Sequence, residues 1–215
     1  MAEHEISFWK SLRIVFGLVS VLWIVHIVQA LGIYDFTEYG NQPQHIAGLK
    51  GIIFSPFLHG SFEHLISNTL PILVLLTVLL NAYPRVALAV LVFVHLSSGM
   101  LVWLFAPPNT IHVGISGIIY GIAGFLVASG IFRKDRNSMV VGIFVGLMYG
   151  GMVLGFIPQP GISWQSHLFG ALSGVFIAFA FRRVDLPKPT EIELERIEPD
   201  RHFFDNDPPA PNPFR

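Results

Sequence analysis

The sequence predicts an all-α membrane protein, a bundle of six transmembrane helices with both termini in the cytoplasm. The chain of 215 residues is 53% hydrophobic and only 13% charged, whereas a soluble domain carries about 25% charged residues. Six apolar segments are each close to the length of about 20 residues that crosses a bilayer as a helix. Lys and Arg cluster in alternate loops, which is typical of a multi-pass protein.

The predicted elements follow in chain order. Residues 1–13 are a short polar lead, and the first span, residues 14–33, is too long for a cleaved signal peptide and is expected to stay in the protein. A polar connection, residues 34–60, is expected to lie at the membrane interface. The other spans are expected at residues 62–82, 86–106, 114–132, 138–157 and 163–181. The acidic, proline-rich residues 184–215 predict a flexible cytoplasmic tail.

Positive charges predict the orientation, because Lys and Arg in short loops stay on the cytoplasmic side. One set of alternate loops holds only Lys50, whereas the other set holds eight positive residues. These are Lys10, Arg13, Arg85, Arg133, Lys134, Arg136, Arg182 and Arg183. Both termini are therefore predicted to be cytoplasmic, and the second, fourth and sixth spans begin at the outer face.

Four polar residues fall at the beginnings of these three spans. His64 and Asn68 are four residues apart and thus share one face of the second span. Ser116 opens the fourth span and His167 the sixth, so all four side chains share one depth. A serine hydroxyl becomes a nucleophile only beside a base and an oxyanion site. The pattern predicts that His167 is that base, and Gly114 permits unusual backbone angles just before the serine.

Small residues predict that the fourth and sixth spans approach each other closely. The small-xxx-small spacing of Gly117 and Gly121 is repeated by Gly170 and Gly174. Such spacing lets two membrane helices meet backbone to backbone. Tyr120, one turn after the serine, is then expected to pack on the imidazole ring of the sixth span.

Several kinds of chemistry are excluded or disfavoured. The only carboxylate between residues 65 and 181 is Asp135, which is predicted at the cytoplasmic face, so catalysis would use a Ser-His dyad and not a triad. The chain has no Cys, which excludes a cysteine nucleophile and thiolate zinc sites. No zinc motif is present, and no cofactor is expected. A net charge of −1 argues against a nucleic-acid partner.

The remaining histidines carry less weight. His26 and His95 lie within spans and fit packing or helix–helix hydrogen bonds. His45, His59 and His112 lie in or beside outer loops and are expected to be solvated. Taken singly, Ser116 also has a simple explanation, because a serine among glycines in a membrane helix is usually a packing residue.

In combination, the chain resembles the rhomboid family of intramembrane serine proteases. The matching motifs are His64-x-x-x-Asn68, Gly114-Ile115-Ser116-Gly117 with Tyr120, and His167-x-x-Gly170-x-x-x-Gly174. The resemblance covers roughly residues 10–183. Residues 34–60 depart from it, since they contain neither the Trp nor the Arg that many members carry in this loop. The absence of a further span indicates the compact six-span prokaryotic form.

The resemblance implies a helical bundle with a water-filled cavity that opens toward the outer side of the cell membrane. It implies that Ser116 is the nucleophile and His167 the general base and acid. It further implies an oxyanion hole made by the Ser116 backbone N–H, His64 and Asn68, with support for the imidazole from Tyr120.

The expected function is therefore endopeptidase cleavage of single-pass transmembrane substrates near the outer interface of the lipid bilayer. Two alternatives remain open: a non-catalytic rhomboid-fold protein that binds membrane helices for quality control, and a transporter or channel. The cores of the second to sixth spans hold no charged residue, and the polar cluster lies near one face and not at the middle, which argues against transport. The sequence specifies no oligomeric state.

Overall fold

The computed structural model describes residues 7–184, and the predicted tail, residues 184–215, lies outside this range except for its first residue. Seven α-helices form within the described range. They are α1 (Phe8–Ala30), α2 (Leu49–Phe54), α3 (Phe62–Ala82), α4 (Ala87–Phe105), α5 (Ser116–Phe132), α6 (Arg136–Tyr149) and α7 (Trp164–Ala180). Short 3-10 turns occur at Thr37–Tyr39, Ile46–Gly48, Ser55–Phe57 and Gly150–Phe156.

Four of these segments are long and apolar enough to cross a membrane: α1, α3, α4 and the stretch Arg136–Phe156 that joins α6 to the following 3-10 turn. Helices α5 and α7 have 17 residues each. At a rise of about 1.5 Å per residue they measure roughly 25 Å, somewhat less than a hydrocarbon core of about 30 Å. The chain is thus a multi-pass membrane protein, and the count of six spans stays a prediction.

The structure adds detail to three of the predicted segments. Helix α1 begins at Phe8 and not at residue 14, because the long side chains of Lys10 and Arg13 can reach the interface from within the first turns. The connection of residues 34–60 contains α2 and three 3-10 turns. The α-helix of the fifth span ends at Tyr149 and continues to Phe156 as a 3-10 helix, in a stretch rich in glycine, which disfavours the α-helix.

The close pair of the bundle is α5 and α7. A Cβ atom at Gly170 would overlap the carbonyl oxygen of Gly117, and one at Gly174 would overlap that of Gly121. The two helices therefore touch along their backbones, as their small-residue spacing predicted.

Helices α4 and α3 complete the core around α5. Helix α4 packs on both α5 and α7, and a hydrogen bond of 2.8 Å joins its Ser97 hydroxyl to the Ser173 hydroxyl on α7. On the other side α3 contacts α5, and α1 packs against α3. The large side chains Leu65, Ile72 and Phe125 are completely buried at these contacts. This close-packed apolar core holds the first turns of α3, α5 and α7 in fixed positions relative to one another.

The connection before α3 is pinned to the loop between α4 and α5. The backbones of Asn41 and His112 exchange two hydrogen bonds of 2.9 Å, and the N–H of Gly114 donates to the Ser55 carbonyl at 2.9 Å. His112 is consequently 7% exposed, and His59 is 1% exposed. The expectation that His59 and His112 are solvated is therefore wrong, because these segments fold over the helix ends and do not extend into water.

Candidate active site

A cavity of about 960 Å³ lies where α3, α5 and α7 begin. Its wall includes all five polar or aromatic side chains that the sequence singled out. They are His64, Asn68, Ser116, Tyr120 and His167. Residues 110–113 and residues 158–163 supply the rest of the wall on the loop side. Three separate helix beginnings thus face one space.

Ser116 is the first residue of α5, and its side chain is buried at the cavity wall. Gly114 has a φ of +109°, which is the unusual backbone angle expected just before the serine. A Cβ atom at Gly114 would lie 2.6 Å from Cε1 of His64, so the His64 ring rests directly on the loop that leads to the serine. Within residues 7–184 no acceptor takes the Ser116 N–H, as usual for the first turn of a helix.

The His167 imidazole is held by a backbone carbonyl. Its Nδ1 lies 2.8 Å from the carbonyl oxygen of Gly155, in the 3-10 helix after α6. A carbonyl oxygen can only accept, so Nδ1 carries the proton and Nε2 keeps its lone pair. This is the tautomer that a general base requires.

Tyr120 packs against the face of the same His167 ring. The two rings stack with centroids 4.1 Å apart and planes 6° from parallel. The Tyr120 hydroxyl donates a 2.8 Å hydrogen bond to the carbonyl of Met152. Packing of Tyr120 on the imidazole agrees with the expectation from its spacing, whereas the two backbone acceptors of the 3-10 helix were missed. A backbone carbonyl leaves no side-chain signal in a sequence.

The serine and the histidine line the same cavity without a hydrogen bond between them. Among the described residues the Ser116 hydroxyl is not bonded to His167. Catalytic hydrogen bonds are often long in the absence of substrate and tighten when the substrate binds. Because α5 and α7 meet at their glycines just below, the two side chains project from adjoining backbones.

Two further polar groups face the cavity from α3. The Asn68 side chain is 7% exposed, and its Nδ2 has no hydrogen-bond partner within the described range. Leaving a buried amide donor unpaired costs about 1–3 kcal/mol. His64 lies one turn earlier, where the Ser61 hydroxyl accepts a hydrogen bond from the His64 N–H and caps the helix. Unpaired donors on a cavity wall can stabilise a developing oxyanion.

Behind His64 lie two more imidazoles. The His59 ring contacts that of His64 at a centroid distance of 5.0 Å and that of His26 at 6.5 Å, both edge to face. Burial, with smaller effects from His64 and His26, lowers the pKa of His59 to about 3. Within residues 7–184 no group of three metal-ligating side chains is arranged to hold a metal ion. The three rings thus form a packing layer behind the cavity wall.

These features define a class: a multi-pass helical membrane protein with a serine, a histidine and unpaired amide donors around one cavity. The family model of the rhomboid domain matches residues 47–184, a range that contains the whole cavity wall. The chain belongs to the rhomboid family.

Its relatives span distant organisms. An uncharacterized protein of Mycobacterium tuberculosis is 34% identical over 171 residues, which are 75% of this chain and 71% of that protein. An uncharacterized protein of Mycobacterium leprae is also 34% identical, over 74% of this chain and 67% of its own length. The rhomboid-like protease 5 of Toxoplasma gondii is 28% identical over 72% of this chain, but only 18% of that longer protein is covered.

Proposed function

We propose that this protein is an intramembrane serine endopeptidase in which Ser116 is the nucleophile and His167 the general base and acid. The observation that carries the proposal is the state of the His167 ring. Its Nδ1–H is committed to the Gly155 carbonyl at 2.8 Å, and its face is fixed by Tyr120. Nε2 is thereby left as a free base on the wall of the cavity that also contains Ser116.

The first half of the reaction forms an acyl-enzyme. The Ser116 oxygen attacks the carbonyl carbon of the scissile peptide bond while His167 Nε2 takes the hydroxyl proton. The negative charge that develops on the substrate oxygen is stabilised by the Ser116 N–H and by donors from Asn68 and His64. Collapse of this tetrahedral intermediate breaks the C–N bond, and His167 delivers its proton to the departing amine.

The second half returns the enzyme to its starting state. A water molecule attacks the ester carbon, and His167 Nε2 accepts a proton from that water. The same donors stabilise the second oxyanion. The acid product leaves, and the Ser116 oxygen takes back the proton from His167.

The proposed substrates are single-pass transmembrane proteins, cleaved near the outer face of the cell membrane. The positive charges at one end of the bundle support this orientation, because Lys and Arg stay on the cytoplasmic side. At that end the Arg133 guanidinium, which follows α5, contacts the Phe181 carbonyl and the Tyr83 ring. The ends of several helices therefore meet on the side predicted to be cytoplasmic. A substrate helix must unwind locally before attack, since its carbonyls are engaged in its own hydrogen bonds.

Cleavage of a panel of single-pass substrates by the purified protein in proteoliposomes tests the proposal. Wild-type protein is expected to cleave, and to favour substrates with helix-breaking residues near the outer interface. The variants Ser116→Ala and His167→Ala are expected to lose cleavage while keeping the thermal stability of the wild type. Full activity in either variant would reject the assignment, and so would indifference to helix-breaking substitutions in the substrate.

A further inference from the structure

A second hydrogen-bonded group borders the cavity, and the proposed reaction does not use it. Its members are Thr110, His112, Ser163 and Ser166. The His112 ring lies 2.5 Å from the Ser163 hydroxyl through Nδ1 and 2.9 Å from the Thr110 hydroxyl through Nε2. The hydroxyls of Ser163 and Ser166 are 2.5 Å apart. These four residues are called the loop network below.

The direction of each hydrogen bond in the loop network follows from the bond that Thr110 makes at one end of it. The Thr110 hydroxyl donates to the Pro107 carbonyl at 2.6 Å, so its oxygen must accept the Nε2–H of His112. Nδ1 is then an acceptor, which receives the proton of Ser163. The Ser163 oxygen in turn receives the hydroxyl proton of Ser166. These directions are those of the neutral His112 ring, and burial lowers the pKa of His112 to about 4.

The loop network joins the two chain segments that carry the proposed dyad. His112 stands four residues before Ser116, and Ser163 stands four residues before His167. A second contact joins the same two segments. A Cβ atom added at Gly117 would lie only 3.3 Å from the Ser166 carbonyl oxygen. The loop that leads to the serine is therefore tied to the start of α7 both before and after the serine.

We propose that His112 is a positioning residue, which through Thr110 and Ser163 fixes the distance between the proposed nucleophile and base. This inference rests on the proposed protease function. His112 does not touch the reacting atoms; it holds the Ser116 loop against the start of α7. Because attack geometry depends steeply on the placement of both groups, a shift of about 1 Å can cost on the order of 10²-fold in rate.

Pairs of isosteric variants test the inference in the full-length protein in proteoliposomes. Ser163→Val removes the hydroxyl but keeps the branched shape of Ser163→Thr, and Thr110→Val removes the hydroxyl of Thr110 without changing its shape. We expect each Val variant to lower kcat about 10- to 100-fold while KM changes less than about twofold. Ser163→Thr, which keeps a hydroxyl donor, is expected to retain kcat within about threefold of the wild type.

The double variant Thr110→Val/Ser163→Val gives a second readout that a simple loss of stability would not produce. Since both hydroxyls belong to one chain of hydrogen bonds through His112, the double variant is expected to lose no more kcat than the worse single variant. Multiplicative losses, or equal losses in Ser163→Thr and Ser163→Val, would overturn the positioning role.

Failure of this inference is distinguishable from failure of the proposed function. If the wild type cleaves and Ser163→Val keeps full kcat, His112 does not position the dyad and the protease assignment stands. If a fluorophosphonate labels Ser163 in place of Ser116, Ser163 is itself the nucleophile and both assignments are wrong.

Discussion

The His167 imidazole is oriented by a carbonyl dipole and not by a carboxylate. A carboxylate buried against the imidazole would have to be desolvated at a cost of several kcal/mol. The Gly155 carbonyl fixes the same tautomer without a buried charge, and the stacked Tyr120 ring fixes the ring plane. The proposed dyad, supported in this way, suits a site within a membrane.

Gly155→Ala is expected to lower kcat about 10- to 100-fold, since a methyl group there would move the ring away from its working position. A Cβ at Gly155 would overlap the Tyr120 hydroxyl and lie 2.9 Å from His167 Nδ1. The matched control is Gly151→Ala in the same 3-10 helix, because a Cβ at Gly151 meets nothing within 4 Å. Steady-state kinetics of substrate cleavage check this prediction, and equal rates for the two variants would contradict it.

Asn68→Ala is expected to lower kcat by about 10²- to 10³-fold, the usual cost of removing one oxyanion donor. KM should change little, because the donor bonds only to the oxygen of the transition state. Asn81→Ala is the control on the same helix, where the Asn81 amide bonds to the Thr77 carbonyl. A loss seen mainly in KM would argue that Asn68 binds substrate and does not stabilise the oxyanion.

The sequence predicted the side chains of the site but not its backbone acceptors or its loop network. His64, Asn68, Ser116 and His167 could be brought together because each falls in the first two turns of a span, where membrane crossing fixes depth. The burial of His112 depends on its pairing with Asn41, 71 residues earlier in the chain. Such long-range loop contacts leave no periodic pattern in the sequence.

At the scale of helices, the contact of α5 with α7 determines the geometry of the site. No side chain separates the two backbones at Gly170 and Gly174, where the glycine α-carbons face carbonyl oxygens of α5. Small residues allow this approach, and without water in the bilayer the helices gain mainly by close packing. The distance between Ser116 and His167 therefore depends on Gly170 and Gly174, which let α5 and α7 touch.

Gly170→Ala is expected to destabilise the protein by about 1–3 kcal/mol, the usual cost of overpacking a core contact. Its Cβ would overlap the Gly117 carbonyl oxygen. Gly146→Ala on α6 is the matched control: its Cβ meets nothing within 4 Å, and alanine favours a helix by about 1 kcal/mol over glycine. Thermal unfolding in detergent micelles measures both, and a Gly170→Ala protein as stable as Gly146→Ala would refute the close contact.

Helix existence was predicted more securely than helix ends. Apolar length predicted helices α1 and α3 to α7, because about 20 residues without charge leave few other structures in a membrane. The change from α-helix to 3-10 helix at Gly150 was not predicted, because hydropathy does not distinguish the two kinds of helix in Gly150–Phe156. That irregular end is the stretch that supplies the Gly155 carbonyl to the site.

At the scale of the whole molecule, buried neutral histidines couple stability to pH. The folded pKa values of about 3 for His59 and about 4 for His112 lie below the ordinary value of 6.5. The unfolded chain therefore binds more protons than the folded chain between these limits. Their contribution to stability is complete above pH 6.5 and is lost progressively as the pH falls through this range.

His59→Phe is expected to flatten the fall in apparent Tm between pH 6.5 and pH 4, since phenylalanine takes up no proton. At pH 7.5 the variant should be at least as stable as the wild type, because both ring nitrogens of His59 lack a partner within the described range and an unpaired buried polar group is costly. Thermal unfolding at a series of pH values checks both points. An unchanged pH dependence in the variant would contradict the assignment of His59 as a buried neutral group.

The most direct test of the central claim is to identify the residue that a fluorophosphonate modifies in the membrane-embedded protein, by mass spectrometry of its peptides. The account predicts one modified serine, Ser116, and modification that is strongly slowed in His167→Ala because Nε2 no longer removes the hydroxyl proton. An unmodified Ser116, or a rate of modification independent of His167, would contradict it.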